Sequence, residues 1–150
     1  MSSNKRAAAQ PPSGNRLGTV LKVVAALHAA LVLLQAVFAG NFMAGDDAAM
    51  RIHQVLGTQV LYPIAIGQAI LGTVLWRRKE LSLAYPLLAA AVVLAEGAQI
   101  GLGFTGRTAL HVPLGVALFG ATTALLLMSH KPLERPVKEG AEDPLVEPSG

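Results

Sequence analysis

The 150-residue chain contains no cysteine, and only 14% of its residues are charged. The absence of cysteine excludes disulfides, thiolate-ligated zinc or iron–sulfur sites, and haem attached covalently through a Cys-x-x-Cys-His sequence. The chain also lacks a phosphate-binding loop, a Ser-His-Asp arrangement and a His-x-x-x-His zinc motif. The shortage of charge, combined with 53% hydrophobic residues, is unlike an ordinary soluble domain and predicts a membrane protein.

Four apolar stretches approach or exceed the ~20 residues that a membrane-spanning helix needs. They cover residues 17–39, 52–76, 81–102 and 109–128. The first is longer than a signal-peptide core and contains His28 and Gln35, so we expect it to remain a spanning helix. The tails, 1–16 and 131–150, are rich in Pro, Gly, Ser and charge and are expected to be disordered. The predicted fold class is all-α, an integral membrane four-helix bundle over residues 17–130, with the lipid bilayer as its partner.

The distribution of Lys and Arg predicts the orientation of this bundle. Ten of the twelve basic residues fall on one side: Lys5, Arg6, Arg16, Lys22, Arg77, Arg78, Lys79, Lys131, Arg135 and Lys138. Only Arg51 and Arg107 remain for the other side, which also receives Asp46 and Asp47. The positive-inside rule therefore predicts a multi-pass protein of the cell membrane with both termini in the cytoplasm. Since the basic clusters flank apolar runs, they indicate topology, and no nucleic-acid partner is expected.

A short pattern occurs twice in the chain. Ile52-His53-Gln54-Val55-Leu56-Gly57 opens the second span, and Leu110-His111-Val112-Pro113-Leu114-Gly115 opens the fourth. Each follows a span whose outer end carries a glutamine and glycines. Because both patterned spans run inward, we expect two tandem helical hairpins related by a pseudo-twofold axis along the membrane normal. His53 and His111 are then expected to face each other in the outer leaflet.

Two opposed histidines without cysteine suit the axial ligation of a non-covalent, b-type haem by neutral imidazoles. Both rings are predicted at helix N-termini, where the positive end of the helix dipole disfavours imidazolium and favours the ligating form. Arg51 and Arg107 are placed to pair with haem propionates at the outer surface. The candidate metal ligands are therefore His53 and His111.

Four further residues are expected beside this pair. Gly57 and Gly115 follow the histidines by four positions, and their lack of a side chain lets either a neighbouring helix or a flat macrocycle approach. Gln35 and Gln99 are expected at the level of the histidines, where an amide would fix the ring orientation of a ligand. The same glutamines are also consistent with simple hydrogen bonds between helices.

Helical phase predicts which residues share a face. At 100° per residue, one stripe of the second span contains His53, Gly57, Ile64 and Gln68, and the matching stripe of the fourth contains His111, Gly115, Leu118 and Thr122. Pro63 cannot donate to the carbonyl of Gln59, so a kink in the second span is expected.

Two ionisable residues lie deeper in the predicted membrane. Glu96 is about one turn below Gln99, and a carboxyl group at that depth is a candidate functional group. It is therefore included among the cofactor-binding candidates. His28 has no partner histidine at its depth and is expected to be a hydrogen-bonded interior residue.

The histidines that open the second and fourth spans, with Gln99 to Gly103 leading to Leu110-His111, resemble one four-helix half of the haem A synthase family. The resemblance covers about residues 17–128 and implies a haem-binding bundle with a histidine pair. Met50 stands where the catalytic half of that family has a glutamate, and the outer loop has no cysteine pair. The chain also resembles small four-span bacterial membrane proteins, which implies no particular activity.

These observations predict a membrane haem protein that serves electron transfer or haem handling, and they leave enzymatic activity open. With both axial positions filled, iron does not readily bind oxygen, so electron transfer is favoured. A quinone or a membrane redox partner would carry electrons across the remaining membrane thickness. One alternative is a structural or assembly protein without a cofactor, and another is a small transporter with Glu96 and His28 as a proton relay.

Overall fold

The computed structural model describes residues 16–131, so the tails predicted to be disordered lie outside this range except for Arg16, which is helical, and Lys131. These residues form four helices and no strand, and each helix is long and apolar enough to cross a membrane. The helices are α1 (Arg16–Met43), α2 (Asp47–Arg77), α3 (Ala84–Phe104) and α4 (Thr108–His130). The prediction of an all-α protein with four candidate spans is confirmed.

The second helix begins five residues earlier than predicted. Asp46 caps it, because its side-chain carboxylate accepts hydrogen bonds from the backbone N–H groups of Ala48 and Ala49 at 2.9 and 3.2 Å. His53 is therefore the seventh residue of α2 and does not open the helix, whereas His111 is the fourth residue of α4. The prediction that His53 lies at a helix N-terminus is wrong. It took the start of the apolar run as the start of the helix, whereas the capping residue Asp46 fixes the first turn.

Two three-residue turns, 44–46 and 105–107, join α1 to α2 and α3 to α4 at the same end of the bundle. Their central glycines, Gly45 and Gly106, have φ angles of 102° and 68°. The N–H of Asp46 donates to the carbonyl of Asn41 at 3.1 Å, and the N–H of Arg107 donates to that of Leu102 at 2.9 Å. Helices α1 and α3 thus end in the same way, with a glycine in the left-handed region of φ shortly after the last helical residue. We call this end the hairpin end, and the opposite end the terminal end.

Helix α2 contains a π-helical turn, Leu56–Leu61, which ends two residues before Pro63. At its end the N–H of Tyr62 donates to the carbonyl of Gly57, five residues earlier in the chain. Such a turn holds an extra residue and rotates the helix face that follows it. As a result Leu61 is buried and Ile64 is only half-buried, so the regular stripe predicted through Ile64 is interrupted.

The two ends of the bundle pack differently. At the terminal end, α1, α2, α3 and α4 enclose a core of Leu21, Leu75, Tyr85, Ala89, Val92, Leu118 and Leu125. Around it, α1 packs against α2 and α4, while α3 packs against α4 and the Tyr62–Arg77 part of α2. Nearer the hairpin end, the Asp47–Val55 part of α2 packs against α1. The bundle is therefore held together at the terminal end and leaves interior space toward the hairpin end.

Candidate functional site

A cavity of about 440 Å³ occupies the hairpin half of the bundle, and side chains from all four helices line it. Its size falls within the ~300–1,000 Å³ of ligand pockets, and its lining is mainly apolar. Seven of the nine candidate residues line it: His53, His111, Gln35, Gln99, Gly57, Gly115 and Glu96. The fold therefore assembles most of the predicted site around one space.

The imidazole rings of His53 and His111 lie beside each other, with centroids 6.0 Å apart and planes inclined by 58°. The Nδ1 of His53 lies 3.2 Å from the backbone carbonyl of Gln35, and the Nδ1 of His111 lies 3.0 Å from that of Gln99. A carbonyl oxygen only accepts, so each Nδ1 carries a proton in these bonds. Each neutral ring then keeps an unprotonated Nε2, which is the form that binds a metal.

Each glutamine also bonds back to its histidine. The side-chain Nε2 of Gln35 donates to the backbone carbonyl of His53 at 3.1 Å, and that of Gln99 donates to the carbonyl of His111 at 2.9 Å. The predicted role of the amides thus needs correction, because the glutamine backbone orients the imidazole whereas the amide holds the histidine backbone. The same two-bond connection occurs in both hairpins, and we call each a His–Gln clasp.

The repeated glycines make room for the clasps. A Cβ atom on Gly57 would lie 2.9 Å from Nε2 of Gln35, and one on Gly115 would lie 3.1 Å from Nε2 of Gln99. The close neighbour at these glycines is therefore a glutamine amide, and not the backbone of a packed helix. Gly103 has a related role, since a Cβ there would lie 3.1 Å from Cε1 of His111.

Three buried side-chain oxygens in residues 16–131 have no hydrogen-bond partner: Oε1 of Gln35, Oε1 of Gln99 and Oε2 of Glu96. All three belong to residues that line the cavity. Buried acceptors are usually satisfied in folded proteins. The cavity therefore offers three hydrogen-bond acceptors to a ligand or to water.

The two remaining candidates, Arg51 and Arg107, lie at the hairpin end but do not line the cavity. Arg51 is in the second turn of α2, and Arg107 immediately precedes α4. Both side chains are exposed, and neither forms an ion pair within the described range. Their guanidinium groups are thus free to bind an anion at the hairpin end.

Deeper in the bundle, His28 takes part in a buried polar network. Its Nε2 lies 2.6 Å from Oε1 of Glu96, and its Nδ1 lies 2.7 Å from Oε1 of Gln68. The side-chain Nε2 of Gln68 in turn donates to the hydroxyl of Tyr85 at 2.9 Å. The prediction that His28 is a hydrogen-bonded interior residue is confirmed, and the network links α1, α2 and α3.

Sequence reasoning joined His28 and Glu96 only in the alternative of a proton relay and predicted no direct hydrogen bond between them, although a signal for it exists. Each is the thirteenth residue of its helix, counted from Arg16 and Ala84, and α1 and α3 start at the same end of the bundle. The predicted span starts, 17 and 81, placed them about a turn apart in depth. The error came from the start of α3, which begins at residue 84 because residues 78–83 form the connecting loop.

The protein alone offers no three-ligand metal centre: within residues 16–131, no group of three or more His, Asp or Glu side chains is close enough to hold an ion. Two imidazoles alone rarely complete the coordination of a protein-bound transition metal. A metal at this site would therefore need most of its ligands from another molecule.

No protein-family model, curated protein or solved structure matches this chain. The function is therefore argued from the geometry of the site.

Proposed function

We propose that this protein is a membrane-embedded haem protein in which His53 and His111 bind the iron from opposite faces of a b-type haem. The observation that carries the proposal is the repeated His–Gln clasp, which leaves an unprotonated Nε2 on each of two neighbouring rings. A hydrogen bond from the non-ligating nitrogen to a carbonyl is the usual way to orient a histidine ligand.

The spacing of the rings supports shared ligation of one metal. With a metal–nitrogen bond of about 2.0 Å and a ring centroid about 1.1 Å behind the nitrogen, two in-line imidazoles have centroids about 6.2 Å apart. The centroids of His53 and His111 are 6.0 Å apart. The separation of the two rings therefore matches that of two imidazoles bound to one ion.

The surrounding space favours a macrocycle over a bare ion. Among the described residues the site offers only two imidazoles, whereas a porphyrin would add four nitrogen ligands and an apolar ring that suits the mainly apolar lining. A haem held in this way supplies one-electron chemistry, and filling both axial positions favours electron transfer or haem handling over oxygen binding. Arg51 and Arg107, exposed and unpaired at the hairpin end, are the proposed partners of the propionates.

We further propose that the helices insert in the cell membrane with both termini in the cytoplasm. Large apolar side chains cover the outside of the bundle, among them Val23, Ile70, Leu87, Leu94 and Leu127, which are all more than half exposed. A soluble protein rarely shows so large an apolar surface. The two hairpins, each with one clasp, would then be related by a pseudo-twofold axis along the membrane normal.

This placement puts the haem in the outer leaflet. About two thirds of a ~30 Å hydrocarbon core, some 20 Å, would separate it from the cytoplasmic face. A quinone or a membrane redox partner is the proposed means of carrying electrons over that distance.

The test is the visible spectrum and haem content of protein purified in detergent after expression with a haem precursor. We expect about one haem per chain and the sharp reduced bands of low-spin, six-coordinate iron. His53→Ala and His111→Ala should each abolish these bands, and added imidazole should restore them by occupying the vacated position. The matched control is His130→Ala, because His130 is exposed and bonds only within its own helix turn.

Two results would overturn the proposal. One is a colourless protein that stays colourless after haem addition while remaining monodisperse. The other is a haem spectrum that survives both His53→Ala and His111→Ala. Binding of free copper or zinc without haem would indicate an ion site in place of a haem site.

A further inference from the structure

The side chains of Glu96 and His28 form an isolated acid–base pair in the middle of the bundle. His28 is 0% exposed and Glu96 is 6% exposed, and their Oε1 and Nε2 atoms are 2.6 Å apart. Ionisable side chains in the centre of a membrane domain are costly and mark functional sites. Neither residue has a counterpart in the other hairpin, because Val92 and Val32 stand at the equivalent positions, counted from the clasp glutamines.

The hydrogen bonds define how many protons the pair holds. The Nε2 of Gln68 is used to donate to Tyr85, so its Oε1 is the atom that faces His28 and accepts a hydrogen bond from the protonated Nδ1. The Nε2 of His28 and the Oε1 of Glu96 then share one further proton. Whether that proton is on the nitrogen or on the oxygen, the pair has no net charge.

The second oxygen of Glu96 is the open position of the pair. Oε2 is buried without a hydrogen-bond partner among the described residues, and Glu96 lines the same cavity as the two clasp histidines. The titratable groups that face the pair are Tyr85 through Gln68, and the imidazoles of His53 and His111 across the cavity. No Lys or Arg side chain lines the cavity within the described range, so no fixed cation balances a negative charge placed there.

We infer that Glu96 and His28 form a redox-linked proton-binding site, an inference that rests on the proposed haem. Reduction of a bound haem by a one-electron donor would add one negative charge to the cavity. One proton from water would then bind Oε2 of Glu96, and the combined uptake of one electron and one proton would leave the net charge of the cavity unchanged. Compensation is strongly favoured because charges interact far more strongly in a low-dielectric interior than in water.

The linkage has a definite sign. Proton binding stabilises the reduced state, so acidic solution raises the midpoint potential and the potential falls as the pH rises. For one proton per electron, the midpoint potential falls by about 59 mV for each unit by which the pH rises.

The experiment measures the midpoint potential of the haem-loaded protein from about pH 5 to about pH 9. Wild type should show a slope approaching one proton per electron over part of this range. Glu96→Gln keeps the size of the side chain and can donate a hydrogen bond to His28, so the haem-loaded variant should lose the slope. The control is Thr122→Val, which removes a fully buried hydroxyl that bonds only to its own helix.

An infrared difference spectrum between the reduced and oxidised protein locates the proton. Wild type should show a gain or a shift of the carbonyl band of a protonated carboxylic acid on reduction, and Glu96→Gln should lack this change. A pH-independent potential in wild type, or an unchanged slope and band in Glu96→Gln, would overturn the inference while leaving the haem intact. A protein that binds no haem would overturn both proposals.

Discussion

At the scale of single residues, the His–Gln clasp explains why a glutamine, a histidine and a glycine recur in both hairpins. His53 donates to the backbone of Gln35, the amide of Gln35 donates to the backbone of His53, and Gly57 leaves space for that amide. The sequence predicts these residues through their repetition. It does not predict which atoms bond, because a glutamine and a histidine recur in the sequence in the same way whether the backbone carbonyl or the side-chain amide of the glutamine forms the bond.

Gly57→Ala tests the clasp. The new Cβ would lie 2.9 Å from Nε2 of Gln35 and would displace the amide from the carbonyl of His53. We expect the free energy of unfolding to fall by about 1 kcal/mol, the contribution of one hydrogen bond, and haem binding to weaken with it. Thermal unfolding in detergent and haem titration measure the two effects.

The control for this substitution is Gly67→Ala in the same helix. A Cβ on Gly67 would meet nothing within 4 Å, so helix propensity alone decides the outcome and no loss of stability is expected. Equal destabilisation by Gly57→Ala and Gly67→Ala would contradict the clasp as the reason for Gly57.

At the scale of helices and turns, the number of elements follows from the apolar runs, but their ends and irregularities do not. Asp46 starts α2 before the apolar run begins, because a capping carboxylate and not hydrophobicity fixes the first turn. The proline at position 63 predicts a local irregularity, but no sequence pattern predicts that it takes the form of a π turn at Leu56–Leu61. In α4, where no such turn occurs, Leu118 and Thr122 are buried as the regular period predicts.

Gly106→Ala tests the turn at the hairpin end. Gly106 has a φ angle of 68°, and a residue with a Cβ atom is strained in this left-handed region by about 1–2 kcal/mol. We expect Gly106→Ala to lower the unfolding temperature. Gly101→Ala should not lower it, since a Cβ on Gly101 meets nothing within 4 Å and its backbone is helical. Equal unfolding temperatures for the two variants would show that the turn relaxes to another conformation.

At the scale of the whole molecule, the bundle is packed at the terminal end and open toward the hairpin end, and its charges follow the same division. The described basic residues at the terminal end are Arg16, Lys22, Arg77, Arg78, Lys79 and Lys131, against Arg51 and Arg107 at the hairpin end. Composition and charge therefore predict four spans and an orientation. The cavity is not predictable from them, because it depends on how all four helices pack.

The orientation is tested with reporters. A reporter that is active only in the cytoplasm, fused after Gly150, should be active, and one inserted at Gly106 should be silent. A reporter active only outside the cytoplasm should give the reverse pattern. Activity of the cytoplasmic reporter at Gly106 would contradict the proposed orientation and would place the haem near the cytoplasmic face.

The most direct test of the central claim is the low-temperature electron paramagnetic resonance spectrum of the oxidised, haem-loaded protein. Two neutral imidazoles on one iron should give a low-spin ferric signal without a high-spin component, and His53→Ala or His111→Ala should convert it to high spin. A high-spin signal in the wild-type protein, or a low-spin signal that persists in both variants, would contradict axial ligation by the two clasp histidines.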